Sequence, residues 1–383
     1  MIGYCTNVHA GASLEQTRAN LQRHAVAVKR QFSPDGAMGV GLWLSNASAR
    51  ELHDSGGIAT FRDWLTEQGL VPYTMNGFPF GDFHQPVVKH LVYQPTWWQR
   101  ERLQYTCLLV DILHELLPTG DEGSISTLPI AWPSSLPSDD QWTQAAANLR
   151  AAASYMADLE RRTGRLIHLN IEPEPGCLLD TADDVVRFFE DHLLPGGDER
   201  QIRRHLRVCH DVCHAAVMFE EQADVFRRYE AAGIAVGKIQ VSSAVKLSLE
   251  KLASEARSAA LDQLGRFNEP KYLHQTCIRR GSEVAFYEDL APALSAAREL
   301  PGDELRTHFH VPIYLAGFGQ LETTQSLIHD CLAAARQYST CNHFEVETYA
   351  WTVLPAELQQ SELAAGIAEE LRWFRDLCLP AVE

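Results

Sequence analysis

The sequence is short of basic residues: 33 Lys and Arg stand against 50 Asp and Glu, a formal net charge of −17. A nucleic-acid groove needs a basic stripe, so that class of partner is excluded. The acidic excess reads as a solvated exterior that serves solubility. No run reaches the length of about 18 apolar residues that a membrane helix needs. The first residues, MIGYCTNVHAG, lack the charged region and apolar run of a secretion signal. The nine cysteines are an odd number, scattered from Cys5 to Cys378 without a disulfide-framework spacing. They read as small buried apolar groups in a reducing compartment, and a cytoplasmic location is expected. Also missing are a Gly-x-Gly-x-x-Gly turn after the first strand candidate, any low-complexity stretch or linker, and any repeat of fixed length.

What is present is an ordinary globular composition, 45% hydrophobic and 22% charged over 383 residues, enough for a large core in one domain spanning 1–383. Short β-rich runs alternate with longer stretches of helical periodicity. The strand candidates are Ile2–Asn7, Val40–Ser45, Val71–Asn76, Ser124–Ile130, Leu166–Glu172, Leu206–Asp211, Val236–Ser242, Thr307–Val311 and Phe344–Tyr349. Ser13 with Gln16, and Thr181 with Asp184, make capping boxes that open helices. Ser138 caps a long amphipathic helix ending at Gly164, with Trp142, Leu149, Met156 and Leu159 on its apolar face, and Thr323 is expected to open a helix through Tyr338. Repeated strand–helix units imply a parallel sheet, and eight or so of them in one chain favour a closed (β/α)8 TIM barrel over a doubly wound sheet. Nine candidates for eight places make one of the last three an insertion or a hairpin.

Strand side chains alternate between faces, so each candidate strand has one face toward the helices and one toward the barrel interior. His168, Asn170 and Glu172 share one face, with Leu169 and Ile171 on the other. By the same alternation Cys209 and Asp211, then Lys238, Gln240 and Ser242, then His308 and His310, and finally Glu345 and Glu347 point inward. A structural barrel core would use layers of Val, Ile and Leu. Unpartnered carboxylates inside a protein are too unfavourable to be packing, so these need a metal or ion pairs, for example Lys238 with a carboxylate. Carboxylate oxygen with imidazole nitrogen suits a divalent manganese, zinc, iron or magnesium ion. A structural zinc on Cys209, Cys213 and His214 competes, although it lacks a second thiolate pair.

Three short motifs resemble the xylose-isomerase-like TIM-barrel superfamily: the strand-end Glu172–Pro173, the Asp211-x-x-His214 spacing, and a final strand-borne Glu in FEVETYAW. Longer stretches across the chain resemble the EboE family of metabolite-traffic proteins, among them YCTNVHAG (4–11), NGFPFGDFH (76–84), GSISTLP (123–129), CHDVCHAAVMFE (209–220), YLHQ (272–275), HFHVP (308–312) and EVETYAW (345–351). The resemblance implies a single xylose-isomerase-like (β/α)8 barrel, with extra segments after strands 3 and 7. It also implies a metal held by Glu172, Asp211, a seventh-strand histidine and Glu347, with His214 beside the substrate. The seventh strand departs from that pattern, carrying Gln240 where the histidine is expected; His274, His308 or His310 is left to replace it. The expected metal set is therefore Glu172, Asp211, Gln240, His308, His310 and Glu347.

With that resemblance, the residues read as a sugar or cyclitol isomerase or epimerase that removes a proton next to a carbonyl. Glu172 and Glu347 act as base and acid, and His214 and Lys238 polarise the substrate. Asn76, Phe78, His84, His9 and Asn170 are the substrate-binding candidates. The Gly- and Pro-containing segment GFPFGDFHQP reads as a loop over the mouth, lid or structural. Gly317-x-Gly319 is a weak phosphate-loop candidate. Two other readings stand beside this one. The first is a metal-dependent hydrolase of a small phosphodiester, with His9, His274, His308 and His310 as extra ligands; the second is a metabolite binder without turnover. The partner is a small polar metabolite. Trp97–Trp98 and Trp373–Phe374 read as core packing, with a homodimer interface as the alternative.

Overall fold

The computed structural model describes residues 1–379 except 135, 301 and 359–361. Seven parallel strands follow one another around a barrel: β1 (Ile2–Cys5), β2 (Met38–Leu42), β3 (Leu70–Asn76), β4 (Gly123–Thr127), β5 (Ile167–Ile171), β6 (Leu206–Asp211) and β7 (Val236–Val241). The chain then leaves the barrel to build a separate antiparallel sheet from β8 (Val245–Ser248), β9 (Thr276–Arg280), β10 (Glu283–Tyr287), β11 (Glu304–Thr307), β12 (Gly317–Phe318) and β13 (Leu321–Thr323). The eighth barrel strand, β14 (Phe344–Val346), pairs with β7 on one side and β1 on the other and closes the ring. No helix among the described residues is long and apolar enough to cross a membrane.

The local start signals work as the sequence reads. Ser13, Ser138 and Thr181 each accept from the backbone three residues on, with the reciprocal side chain returning the bond. The long helix Asp139–Thr163 stops at Gly164, whose φ of 75° is the left-handed conformation that a helix end favours. Thr323 does not open the helix expected of it. It ends β13, and the helix Ser326–Tyr338 begins after Gln325. Trp97 and Phe374 are fully buried, in keeping with core packing.

The surplus strand candidate resolves into the insertion. Thr307–Val311 is not a barrel strand, because the β register ends at Thr307, paired with Val245 and Thr276. β8 runs away from the end of β7 and β11 runs antiparallel to it, so β11 delivers residues 308–311 back to the barrel mouth. The return is pinned there by Val311 N–H to the Ser243 carbonyl (3.0 Å) and His308 N–H to the Gln275 carbonyl (2.8 Å).

The barrel interior holds large polar side chains because glycines face them. A Cβ on Gly41 would fall 1.2 Å from Glu345 Oε1, and one on Gly237 would fall 2.2 Å from Asn170 Oδ1. These two strands give up their own side chains at those positions to admit the polar layer.

Candidate metal centre

The strand ends place three carboxylates together. Glu172 follows β5, Asp211 ends β6 and Glu347 follows β14; one oxygen from each lies within 4.8 Å of the others, all buried. Asp211 is held twice through Oδ1, by the Ser242 hydroxyl (2.7 Å) and by the His214 amide (2.9 Å), where it caps the short helix Val212–Val217. Glu347 Oε1 accepts from the amides of Asn7 (2.7 Å) and Asn76 (3.0 Å). Glu172 Oε2 and Asp211 Oδ2 are buried with no hydrogen-bond partner.

Three histidines complete the cluster, and their tautomers follow from their partners. His214 Nδ1 meets the Pro173 carbonyl at 2.8 Å and His310 Nδ1 meets the Glu347 carbonyl at 2.7 Å. His308 Nδ1 meets Gln275 Oε1 at 2.8 Å; the Gln275 amide nitrogen is turned the other way, onto Glu174 Oε1 (2.9 Å) and the Tyr93 hydroxyl (3.0 Å). A carbonyl oxygen only accepts, so in each neutral ring Nδ1 carries the proton and Nε2 is left as a lone pair. His214 Nε2 and His308 Nε2 then face each other at 3.3 Å, and His310 Nε2 is buried without a hydrogen-bond partner, 3.9 Å from Asp211 Oδ2.

These atoms fit a cation. Lone pairs of carboxylate and imidazole converge in a dry site, and each histidine is oriented by a bond from its other nitrogen, the arrangement that metal ligands show. Asp211, His214 and His310 form a second grouping within ligand reach, and Glu174, His214 and His308 a third. Without a positive charge the cluster works against itself. Burial, with Glu347 and Asp211 alongside, pushes the Glu172 carboxyl well above its usual range; burial and Asp211 raise Glu347 to about 8. Burial also acts on Asp211, but His214, His310 and its two hydrogen bonds outweigh it and hold the group low. Burial lowers His310 to about 4 and His308 well below the ordinary histidine value.

No family model and no curated protein matches the sequence. Solved structures do. A xylose isomerase-like TIM-barrel protein from Mycobacterium smegmatis in complex with magnesium aligns at TM-score 0.53 and 11% identity, covering 98% of this chain and 95% of that one. The IOLI protein with a bound zinc atom aligns at TM-score 0.50 and 9% identity, covering 98% and 97%. The fold is that of a xylose isomerase-like TIM barrel.

In this xylose isomerase-like barrel, a cavity of about 550 Å³ opens at the ends of the strands. Glu172, His214, His308, His310, Glu347, Asn76 and Phe78 line it. Other expected site residues lie elsewhere. Lys238 is fully buried beneath the cavity, its ammonium 2.5 Å from Glu345 and 3.3 Å from Ser126 Oγ, so it is committed to an internal ion pair and does not face a substrate. Asn170 shares that lower layer, bonded to His168 at 2.8 Å. His9 bonds the Tyr4 hydroxyl (2.9 Å), stacks on His24 and lines a separate recess beside Trp43. His84 does not line the cavity either; its Nε2 meets the Asn7 carbonyl at 2.5 Å and ties the segment after β3 to the end of β1.

Gln240 is buried on β7, and neither of its amide atoms has a hydrogen-bond partner. His274 spends both ring nitrogens on the His308 carbonyl and Glu269, so it is not the replacement histidine. Cys209, Cys213 and His214 form no ligand group among the described residues; Cys213 instead lies within reach of His308 and His310. Gly317 and Gly319 belong to the β12–β13 hairpin, away from the cavity.

The sequence reading passed over Asn7, Tyr93, Glu174 and Gln275, which hold or extend the cluster. Glu174 stands two residues after Glu172, beyond the last strand residue, where alternation no longer says which way a side chain points. Asn7 likewise follows β1.

Proposed function

We propose that this protein is a divalent-metal-dependent isomerase or epimerase of sugar- or cyclitol-like metabolites, working by proton abstraction next to a carbonyl. The observation that carries this reading is the convergence of buried carboxylate oxygens from Glu172, Asp211 and Glu347 inside the barrel mouth, with Asp211 also within ligand reach of His214 and His310. Glu172, Asp211, His310 and Glu347 are the ligands, with His310 from the insertion taking the role that Gln240 does not fill. Mixed oxygen and nitrogen donors suit manganese, iron or zinc, and magnesium where the carboxylates dominate. When bound, the ion polarises neighbouring substrate oxygens and stabilises negative charge on them.

This chain's own residues supply the proton transfer. Glu172 and Glu347 are held deprotonated when the cation is bound, and a carboxylate positioned beside the reacting carbon is then a competent base. Asn7 and Asn76 fix one oxygen of Glu347 and leave the other to exchange a proton. His214 stands at the cavity wall, oriented by Pro173, to hold a substrate oxygen. The whole chain, 1–383, acts as one unit, since the insertion contributes ligands to the barrel. The nine free thiols suit the cytoplasm, and the EboE resemblance suits a biosynthetic or metabolite-export pathway.

A second reading, hydrolysis of a small phosphodiester, is favoured by the additional Glu174–His214–His308 group, which has room for another ion. Against it, among the described residues Lys89 is the only Lys or Arg lining the cavity, and it is paired with Asp289 at 2.6 Å. A binder without turnover is the third reading.

Elemental analysis of protein purified without chelator separates these. One equivalent of metal, lost in Glu172→Gln/Glu347→Gln, together with solvent-deuterium exchange into a sugar or cyclitol that disappears in Glu347→Gln, supports the isomerase. Several equivalents with phosphodiester turnover support the hydrolase. Tight metabolite binding without exchange supports the binder, and absence of metal after reconstitution sinks the metal-centred reading altogether.

A further inference from the structure

The cavity has two unlike ends. Its floor carries the carboxylates and histidines just described. Its upper wall is built from aromatic rings: Phe83, Tyr272 and Tyr349 meet one another at 5.1 to 5.6 Å between centroids, and Phe78 packs against Tyr93 at 5.9 Å. Val88, Val92 and Leu273 fill in between.

Apart from the Tyr349 hydroxyl and Asn7 Oδ1, the polar atoms of that wall are largely spent on the protein. The Tyr93 hydroxyl donates to Glu174 Oε1 (2.7 Å) and the Tyr272 hydroxyl to the Phe83 carbonyl (3.3 Å). Lys89 is bound to Asp289, and the Asn7 and Asn76 amides are bound to Glu347. Beyond the Tyr349 hydroxyl, a ligand reaching this wall meets ring faces and aliphatic carbons. A substrate with hydroxyls over its whole surface would strip water from most of its upper hydroxyls and gain few partners for them.

The wall is also a construction of the two segments that the eight-strand barrel does not require. Phe78 and Phe83 come from the stretch after β3, and Tyr272 and Leu273 from the insertion. The two are stitched together by Val88 N–H to the Lys271 carbonyl (2.7 Å) and by Tyr272 on Phe83. Arg102, fully buried, donates to the carbonyls of Gly77 and Phe78 at 2.9 Å and sets the entry of the first segment.

We propose that the substrate is amphiphilic: a head with two adjacent oxygens that chelates at the carboxylate–histidine floor, joined to an apolar ring or chain that lies against Phe83, Tyr272 and Tyr349. This rests on the metal-centred reading of the floor, and it narrows the substrate class from polar metabolites at large to those carrying an apolar substituent.

Hydroxamates test it, because their head chelates metals through two oxygens while the tail can be varied alone. Binding of aceto-, butano-, hexano- and benzohydroxamate is measured by calorimetry on the full chain reconstituted with zinc or manganese. Tail length is expected to tighten binding about fourfold per added methylene, with benzohydroxamate far tighter than acetohydroxamate. In folded Tyr272→Ala or Phe83→Ala protein, affinity is expected to rise much less with tail length. Equal affinities across the series on wild-type protein overturn the amphiphile and leave the metal centre standing. Binding that tightens with tail length equally in chelator-treated protein overturns the chelated head. If no hydroxamate binds the metal-loaded chain, the metal reading and the proposal fall together.

Discussion

Two layers of polar side chains share the barrel interior, and they differ in charge balance. The lower layer pairs Lys238 with Glu345, both fully buried, and His168 with Asn170. The upper layer gathers Glu172, Asp211, Glu347 and Glu174 with no lysine or arginine paired to them, whereas Glu345 below has the Lys238 ammonium on its Oε2. Alternation along the strands puts both layers on the same face, so facing inward does not itself distinguish structure from chemistry. What distinguishes them is whether the charge is answered inside the chain.

The largest effect expected from that contrast is at Lys238. Removing one partner of a buried ion pair strands the other, so Lys238→Met is expected to lower unfolding free energy by about 3–5 kcal/mol. The double change Lys238→Met/Glu345→Leu is expected to recover most of that loss in denaturant titrations. A Lys238→Met protein of unchanged stability that loses turnover would move the lower layer into the catalytic machinery.

Next in size is the packing that admits this layer. Gly41→Ala places a methyl group on the Glu345 carboxylate, and overpacking of this kind is expected to destabilise by about 1–3 kcal/mol. Combining it with Glu345→Ala should restore the midpoint; a neutral Gly41→Ala alone would show that the lower layer has slack.

The upper layer is expected to respond with the opposite sign. Its carboxylates repel, so Glu347→Gln should stabilise the metal-free protein by about 0.5–2 kcal/mol while weakening metal binding. A destabilised variant would mean that the amide bonds from Asn7 and Asn76 matter more than the repulsion.

Much of this was legible before the fold was known. Period-two alternation, read from Leu169 and Ile171 against His168, Asn170 and Glu172, found the inward residues, and the capping boxes found three helix starts. The layer of each residue was not legible, because depth along the barrel depends on how neighbouring strands are staggered. For that reason Lys238 and Asn170 read as site residues. The source of the replacement histidine was not legible either: His310 reaches Asp211 through antiparallel pairing of β8 with β11, a contact between residues about sixty apart in sequence. His9 and His84 lie outside the strands and obey no alternation; His9 turns back onto nearby Tyr4, and His84 makes a long-range bond to Asn7.

The pH dependence of stability gives the smallest signal and the sharpest division between layers. Glu347 titrates near 8 in the folded, metal-free chain, and Glu172 is also raised. A carboxyl raised on folding holds a proton that the unfolded chain has already lost, so its stabilising contribution is complete below the ordinary glutamate pKa and disappears as pH rises through the folded value. Asp211 is shifted down; its contribution changes only below the ordinary aspartate pKa, outside this window. Metal-free wild type is therefore expected to lose stability between pH 5.5 and 8.5. Asp180, Glu220 and Glu370, each raised to about 7 by burial, contribute in the same direction from outside the cluster. The informative quantity is thus the difference between wild type and Glu347→Gln, measured by denaturation in chelator at both pH values. A shallower slope in the variant locates the titration in the upper layer, and adding metal should reverse the wild-type slope, since ligands bind deprotonated. Parallel slopes would place the titration in the remote carboxyls and remove the electrostatic distinction between the two layers.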